Sequence, residues 1–465
     1  MRISVALIIL GISFPVFAQQ VEQVKVLTFE EAIKIALQNS VNLNQQKNNL
    51  ELSQFSKTTS IAGLAPSVNA NISAFQINGN SFNNNTGQVI NGVRDNVGAS
   101  ISARVNLFSG FSAINSIRQY SNLLEAQSYF VNRTAQDVMN TVSTQYLKVM
   151  QDVELLKIAK QNFESLQKQL EQVKEMVTLG SKSPVEEYNQ DALTKGAELR
   201  YVQAEITLAN DKALLSQTLL LDAFEQFDVE KPNWNINSIG NEPLNMSELA
   251  DQAKQYRSDY LRAVKNEEAS KFGMYASRGA LLPTLSASGT YGSSYNYQHD
   301  VPRTIVDQQT QATIDNPFYP RPFAEQFRTN NVFKQYGLTL NIPIFNGLQN
   351  KAGYVQQKIV YENNVWAKKN LELQIRNDVL QAVRNYEGTK KAYSVSVDQL
   401  NAAEQAFAFE TERYNLGVTN FVDYTNANRV LVQSQTDKAQ AEYALVFQKI
   451  MLEYAVGTLK PEEFK

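Results

Sequence analysis

Between Phe111 and Val177 the sequence contains neither proline nor glycine. Apolar residues recur through this stretch at Val131, Ala135, Val138, Val142, Tyr146, Val149, Val153 and Leu156, in steps of three or four. That spacing lays them along one face of a helix, as the seam of a coiled coil requires. A helix of this length reaches on the order of 100 Å, far more than a compact domain can use. Beyond a turn, Val185, Tyr188, Ala192, Leu199, Val202, Ile206, Ala209 and Ala213 continue the seam, with Lys195 in one slot. The pattern predicts two very long helices joined as a hairpin. Gly180 falls where a left-handed C-cap needs a residue without Cβ, and Ser183-Pro184 supplies an N-cap and a proline for the first helical position. Glu186 is placed to complete a capping box.

The chain is written twice. ISARVNLFSGFSA around Phe108 returns as LTLNIPIFNGLQN around Phe345, 237 positions later. The same offset relates Gly110 to Gly347, Val138 and Val142 to Ile375 and Val379, Leu179-Gly180 to Leu416-Gly417, and Val185 to Val422. Upstream the offset is 217, relating GLAPSV around Pro66 to LLPTL around Pro283. The second copy therefore carries 20 extra residues, all between Pro283 and Phe345. The first repeat is expected over residues 19–226 and the second over 244–459, with 460–465 as a tail. The Asn- and Pro-containing joint at 227–243 reads as a linker.

Each copy also predicts two strands after a short helix. Val97, Ala99, Ile101, Ala103, Val105 and Leu107 alternate with Gly98, Ser100, Ser102, Arg104 and Asn106. In the second copy Tyr336, Leu338, Leu340, Ile342 and Ile344 alternate with Gly337, Thr339, Asn341 and Pro343. The partner strands run through Val68, Ala70, Ile72 and Ala74, and through Leu285, Ala287, Gly289 and Tyr291. This period of two gives one apolar face, and about ten residues suffice for the apolar height of a membrane β-strand. Four strands cannot close a barrel with a usable interior, so closure calls for further copies of the chain.

Residues 1–18, MRISVALIILGISFPVFA, have the basic start, apolar stretch and small residues of a secretory signal, which would leave Gln19 first. With no cysteine there is neither a disulfide framework nor an N-terminal lipid anchor. A net charge of −3, with 19% charged residues, lacks the footprint of a nucleic-acid binder. His299 is the one histidine and stands apart from any cluster of acidic residues, which argues against a metal or nucleophile site. No cofactor, metal or catalytic residue is expected.

The duplicated order of helix, two strands and long hairpin, the IPIFNG strand exit, the RYNLGVTNFVDY turn and the closing AVGTL resemble the TolC-like outer membrane efflux proteins across Thr28 to Leu459. The resemblance implies a mixed α and β membrane protein: a homotrimer whose four strands per chain make a twelve-stranded barrel, continuing into a long α-helical periplasmic tunnel. It implies an outer-membrane channel of a tripartite efflux or type I secretion system, contacting outer-membrane lipid. The implied partners are a periplasmic adaptor and an inner-membrane transporter of the RND or ABC type. The alternative is a periplasmic coiled-coil scaffold or adaptor without a pore, which leaves the strands unexplained.

On that resemblance Asp423 matches an acidic residue of a charged periplasmic entrance, and Glu186 is its first-copy counterpart. Both can equally serve as the capping-box acid of their helix. Asn426 stands where some relatives have a second acid, Tyr414 matches a residue used in closing the mouth, and Thr419 replaces a gating Arg. Arg413 and the turns Leu179-Gly180 and Leu416-Gly417 match the tips that meet the adaptor. The loop from 294 to 329, which takes most of the insertion, and the Asn-rich loop near Asn83 are expected to face outside. Phe108 and Phe345 suit an interfacial aromatic belt or packing at the barrel base.

Overall fold

The computed structural model describes residues 25–83, 88–222, 227–231, 244–299, 301–307, 309, 311–317 and 319–459. The expected signal segment, the tail and most of the joint lie outside them. The first copy runs β1 (Lys25–Leu27), α1 (Phe29–Asn39), α2 (Val41–Ala62), β2 (Ser67–Asn83), β3 (Gln88–Ser109), α3 (Ser112–Thr178) and α4 (Pro184–Leu219). After β4 (Phe227–Val229) come α5 (Met246–Tyr256), α6 (Ser258–Arg278), β5 (Thr284–Gln298), the short strands β6 (Thr304–Val306) and β7 (Thr313–Asp315), α7 (Phe323–Glu325), β8 (Phe333–Asn341), α8 (Gln349–Asn415) and α9 (Phe421–Val456).

The sequence offsets are reproduced residue for residue. The helices α3 and α8 have 67 residues each, α4 and α9 have 36 each, and both hairpins begin and end 237 positions apart. Starts of α1 and α5, of α2 and α6, and of β2 and β5 are 217 apart. Even the backbone breaks repeat: Gly110-Phe111 and Gly347-Leu348 turn from strand to helix with positive φ, at 60° and 65° against 64° and 67°. The joint is not merely a linker at its start, because β4 pairs in parallel with β1. The buried Tyr146 hydroxyl fixes this pair from α3, lying 2.8 Å from the carbonyl oxygens of Leu27 and Glu230.

One antiparallel sheet has the order β2-β3-β5-β8. Its register lines up Val68, Ala103, Gly289 and Tyr336 in one row, and Ala70, Ile101, Tyr291 and Lys334 in the next. The opposite face carries Ser67, Arg104, Ser288 and Gly337, then Asn69, Ser102, Thr290 and Gln335. The apolar face is uncovered, with Ile72 80% and Tyr336 81% exposed. Three strands exceed the expected length, at 17, 22 and 15 residues. The fourth, β8, stops after nine at Asn341. Pro343 has no N–H to offer a ladder, so Ile342 and Ile344 leave the strand they were expected to extend. Among the described residues no helix is long and apolar enough to cross a membrane.

The long helices form a layer in which α4 packs on α3, α3 on α9 and α9 on α8. On α3 the expected seam is buried at Ala135, Val142, Tyr146 and Val149, but Val153 is exposed and Asp152, bonded to Asp211 of α4, takes the buried place. On α4 the outcome reverses. Val185, Tyr188, Ala192, Leu199, Val202, Ile206, Ala209 and Ala213 all face away from the chain. The contact with α3 is made instead by Gln190, Thr194, Ala197, Leu215 and Leu219. Gln190 and Thr194 both donate to the carbonyl of Leu166, at 3.2 Å each, and this hydrogen bonding lets polar residues occupy the covered face. The apolar seam of α4 is thus an outer flank of the layer.

Candidate functional site

Both hairpins are closed by the same backbone device. The N–H of Ser181 reaches the Met176 carbonyl at 2.8 Å and that of Gly180 reaches Val177 at 3.0 Å, while Val418 and Gly417 reach Arg413 and Tyr414 at 2.9 and 3.1 Å. These are two Schellman motifs, each needing a left-handed residue, and Gly180 and Gly417 supply φ of 75° and 72°. The motif pushes the preceding leucine outward, so that Leu179 and Leu416 are 83% and 78% exposed.

The side chains of the two tips differ. In the first copy Ser183 caps α4 by accepting from the N–H of Val185 at 3.2 Å. Glu186 does not complete a capping box. Its carboxylate pairs with Lys182 at 3.3 Å, one helical turn before it, because a cation there offers more than a neutral N–H. In the second copy Asn420 accepts from the N–H of Asp423 at 2.9 Å, which is half of a box. The other half is replaced: the Asp423 carboxylate accepts from the Asn420 amide at 2.9 Å and the Thr419 hydroxyl at 3.3 Å. The offset of 237 relates Lys182 to Thr419, so the cation absent from the second tip stands at the equivalent place in the first.

Lys182 also joins the tips. Its ammonium donates to the Tyr414 hydroxyl and lies 4.2 Å from the centre of the Tyr414 ring. Burial works against its charge, but the bonds to Tyr414 and Glu186 outweigh it and hold its pKa above the ordinary lysine range. Tyr414 in turn stacks on the buried Tyr424 at 5.0 Å and tilts against Phe421 at 6.3 Å. Tyr414, Glu186, Thr419 and Asp423 therefore stand in two adjoining turns held by Lys182. Arg413 pairs with Glu410 at 2.9 Å, and Asn426 accepts from Arg429 at 3.3 Å. Sequence reasoning missed Lys182. Its signal was the repeat itself, which places Lys182 opposite Thr419.

At the other end of the molecule, His299 lies 2.7 Å from the Asp95 carboxylate, which also accepts from Gln76 at 2.7 Å, a cross-strand chain over β2, β3 and β5. The insertion contributes β6, β7 and α7. Within the irregular turn after α7, Gln326 bonds the N–H and carbonyl of Asn296 at 3.1 and 3.0 Å, along the part of β5 that overhangs β8. Among the described residues no group of acidic, His or Cys side chains is arranged to hold a metal ion.

Residues 249–458 match the family model of the Outer membrane efflux protein. The chain is 21% identical to the Pyoverdine export outer membrane protein OpmQ of Pseudomonas aeruginosa over 438 residues, 92% of this chain and 84% of that one. It is 21% identical to the Outer membrane protein TolC of Vibrio cholerae over 345 residues, 71% of this chain and 70% of the relative. In fold it is similar to the outer membrane protein VceC of Vibrio cholerae, with TM-score 0.77 and 14% identity over 92% of this chain and 96% of that one. It is similar likewise to CusC, with TM-score 0.76 and 16% identity over 92% of each chain.

Proposed function

We propose that this chain, a TolC-like outer membrane efflux protein and so an outer-membrane channel for efflux, builds its passage as a homotrimer. The observation that carries the proposal is a matched pair of open flanks. The sheet presents an uncovered apolar face yet leaves β2 and β8 at its edges, and the helical layer leaves the apolar seam of α4 uncovered on one side. Unpaired strand edges cannot face hydrocarbon. Three copies supply twelve strands, with the polar face carrying Arg104, Asn69 and Ser102 turned to a water-filled lumen and the apolar face to lipid.

The two tips then form the periplasmic mouth, with Asp423 and Glu186 repeated around the axis and Tyr414, Thr419 and Lys182 setting how the turns pack. The exposed Leu179 and Leu416, with their glycines and Arg413, are the surface offered to a periplasmic adaptor, and through it to an inner-membrane transporter. The protein positions and passes solutes and carries out no chemistry. A scaffold without a pore is disfavoured by the sheet, whose apolar face it would leave in water. The test is the mass of the detergent-purified protein together with its conductance in a planar bilayer. A trimer that conducts is the expected result, and a stable monomer overturns the proposal.

A further inference from the structure

Part of the insertion of the second copy lies on the sheet, and the strand register tells which face it covers. Beyond the rows of Val68 and Ala70 the apolar face continues through Ile72, Ala99 and Ser293, and then through Ala74, Val97 and Tyr295. These are the rows the insertion touches. The Ser293 hydroxyl donates to the Phe327 carbonyl at 2.6 Å, the Tyr295 ring meets Phe323 edge-on at 5.0 Å, and Phe323 stacks on Phe327 at 5.0 Å. One row farther out the same face turns polar, at Gln76, Asp95 and Tyr297, where His299 joins Asp95. Residues 323–327 therefore sit at the outer limit of the apolar face, on the side the channel turns to lipid.

Charge gathers at this limit. From Arg321 to Lys334 the chain has three cations, Arg321, Arg328 and Lys334, against one acid, Glu325. Glu325 accepts from the Asn330 amide at 3.2 Å, and all three cations are exposed with no side-chain partner among the described residues. Lys334 is the least expected of them. It stands on the apolar face in the row of Ile101 and Tyr291, while its neighbour Phe333 lies on the opposite face against Gly292. A cation on a lipid-facing strand is costly at the midplane and tolerated near the headgroups, where a long apolar stem can carry its ammonium to the boundary.

We infer that this boundary binds the phosphorylated headgroup of an outer-leaflet glycolipid, with Arg321, Arg328 and Lys334 on its phosphate and the exposed Phe323 ring beside its sugar. The chemistry selects the occupant. Three unpaired cations call for an anion, the apolar rows beneath them call for acyl chains, and one lipid supplies both. Guanidinium forks match phosphate oxygens. An aromatic ring at the boundary gives the apolar side of a sugar a surface to lie on, for which a bare glycerol headgroup has no use. The inference rests on the reading of the sheet as membrane-embedded and deepens it by naming the lipid.

The test is titration of the detergent-purified full chain with lipid A, with the same lipid stripped of its phosphates, and with phosphatidylglycerol, counting retained lipid by native mass spectrometry. Lipid A is expected to bind tightest. Arg321→Gln/Arg328→Gln/Lys334→Gln should weaken it on the order of one hundred-fold, from three surface charges lost, and bind the stripped lipid as before. Lys157→Gln/Lys160→Gln/Lys168→Gln, which removes three exposed cations of α3, should leave lipid A binding unchanged. Equal binding of lipid A by the wild type and the Arg321, Arg328 and Lys334 variant, or of intact and stripped lipid by the wild type, overturns the site. Equal binding of phosphatidylglycerol overturns the glycolipid as occupant. All three cations belong to one chain, so the preference is read in a trimer or a monomer alike. A conducting trimer without it overturns the lipid site and leaves the channel standing, whereas a monomer that shows it overturns the trimer alone.

Discussion

The two hairpin tips turn at glycines whose φ agrees to within a few degrees, and they differ in how their acids are paired. Gly180 and Gly417 close the same turn, yet the first tip pairs Glu186 with Lys182 while the second leaves Asp423 with the neutral donors Thr419 and Asn420. Duplication preserved what the chain needs to reverse direction, a residue without Cβ followed by an N-cap. It did not preserve the side chains that surround the turn. Glu186 is matched by a neighbouring cation and Asp423 is held by neutral donors, so the two copies are equivalent as folds and unequal in how their acids are paired.

If the turns are equivalent, Gly417→Val and Gly180→Val should do equal and large damage. Space is not the issue, since a Cβ at either glycine meets nothing within 4 Å. The left-handed φ is, and it costs an L-residue about 1–2 kcal/mol, with a β-branched one at the upper end. Export or drug resistance in cells should be lost in both Val variants and largely kept in Gly417→Asn, because Asn tolerates that φ. Full activity in Gly417→Val removes the capped turn from the mechanism.

The copies also diverge at Asp152, whose counterpart 237 positions later is Thr389. Burial, helped by the bond with Asp211 and opposed by Lys148, pushes the Asp152 pKa up to about 6. A carboxyl whose folded pKa is raised stabilises the fold while protonated, so this contribution is present at pH 4 and is lost as pH rises through about 6. Asp152→Asn should therefore raise the melting temperature near pH 7.5 and leave it unchanged near pH 4.5, a difference of about 1–2 kcal/mol per chain. Equal shifts at both pH values would show that titration of Asp152 plays no part.

A smaller effect separates the acids of the two tips. In the proposed trimer, Asp423 carboxylates brought about 6 Å apart around a threefold axis would cost roughly 0.7 kcal/mol per pair in water. A cation relieves that cost. Asp423→Asn keeps a side-chain oxygen and should reduce cation selectivity several-fold, read as the reversal potential under a salt gradient. Glu186→Gln should change it little, since Lys182 already balances Glu186. Equal losses would erase the distinction between the tips. The smallest change is expected for Lys182→Met, where an ion pair and a ring contact worth about 1 kcal/mol together disappear. Glu186 is then unpaired and the first tip comes to resemble the second, so selectivity for cations should rise slightly rather than fall.

Helix ends, the strand alternation and the repeat were legible because each rests on local chemistry: Gly at a left-handed cap, proline at a first helical position, apolar residues at spacings of two, three or four. What covers an apolar face was not legible. The α4 seam is a correct period that this chain leaves exposed, while Gln190 and Thr194, polar and outside that seam, are buried because Leu166 offers a carbonyl to both. The site was half legible. The family resemblance marked Asp423 and the repeat marked its counterpart Glu186, but the choice of Glu186 between an N–H and an ammonium depends on where the Lys182 side chain lands, and that is set by Tyr414, more than two hundred residues away.

Gln326 carries one more consequence, for how such a chain comes together. Strands with free edges are adhesive, and a sheet awaiting its neighbours can be joined at the wrong place. Where β5 overhangs the shorter β8, the Gln326 amide occupies both the N–H and the carbonyl of Asn296, and Asn331 takes the carbonyl of Ser294. A strand arriving there finds its hydrogen-bonding sites already filled by side chains that imitate a backbone. The nine residues of β8 remain available and the ledge above them does not. The insertion thus closes that stretch of the β5 edge to further strand pairing.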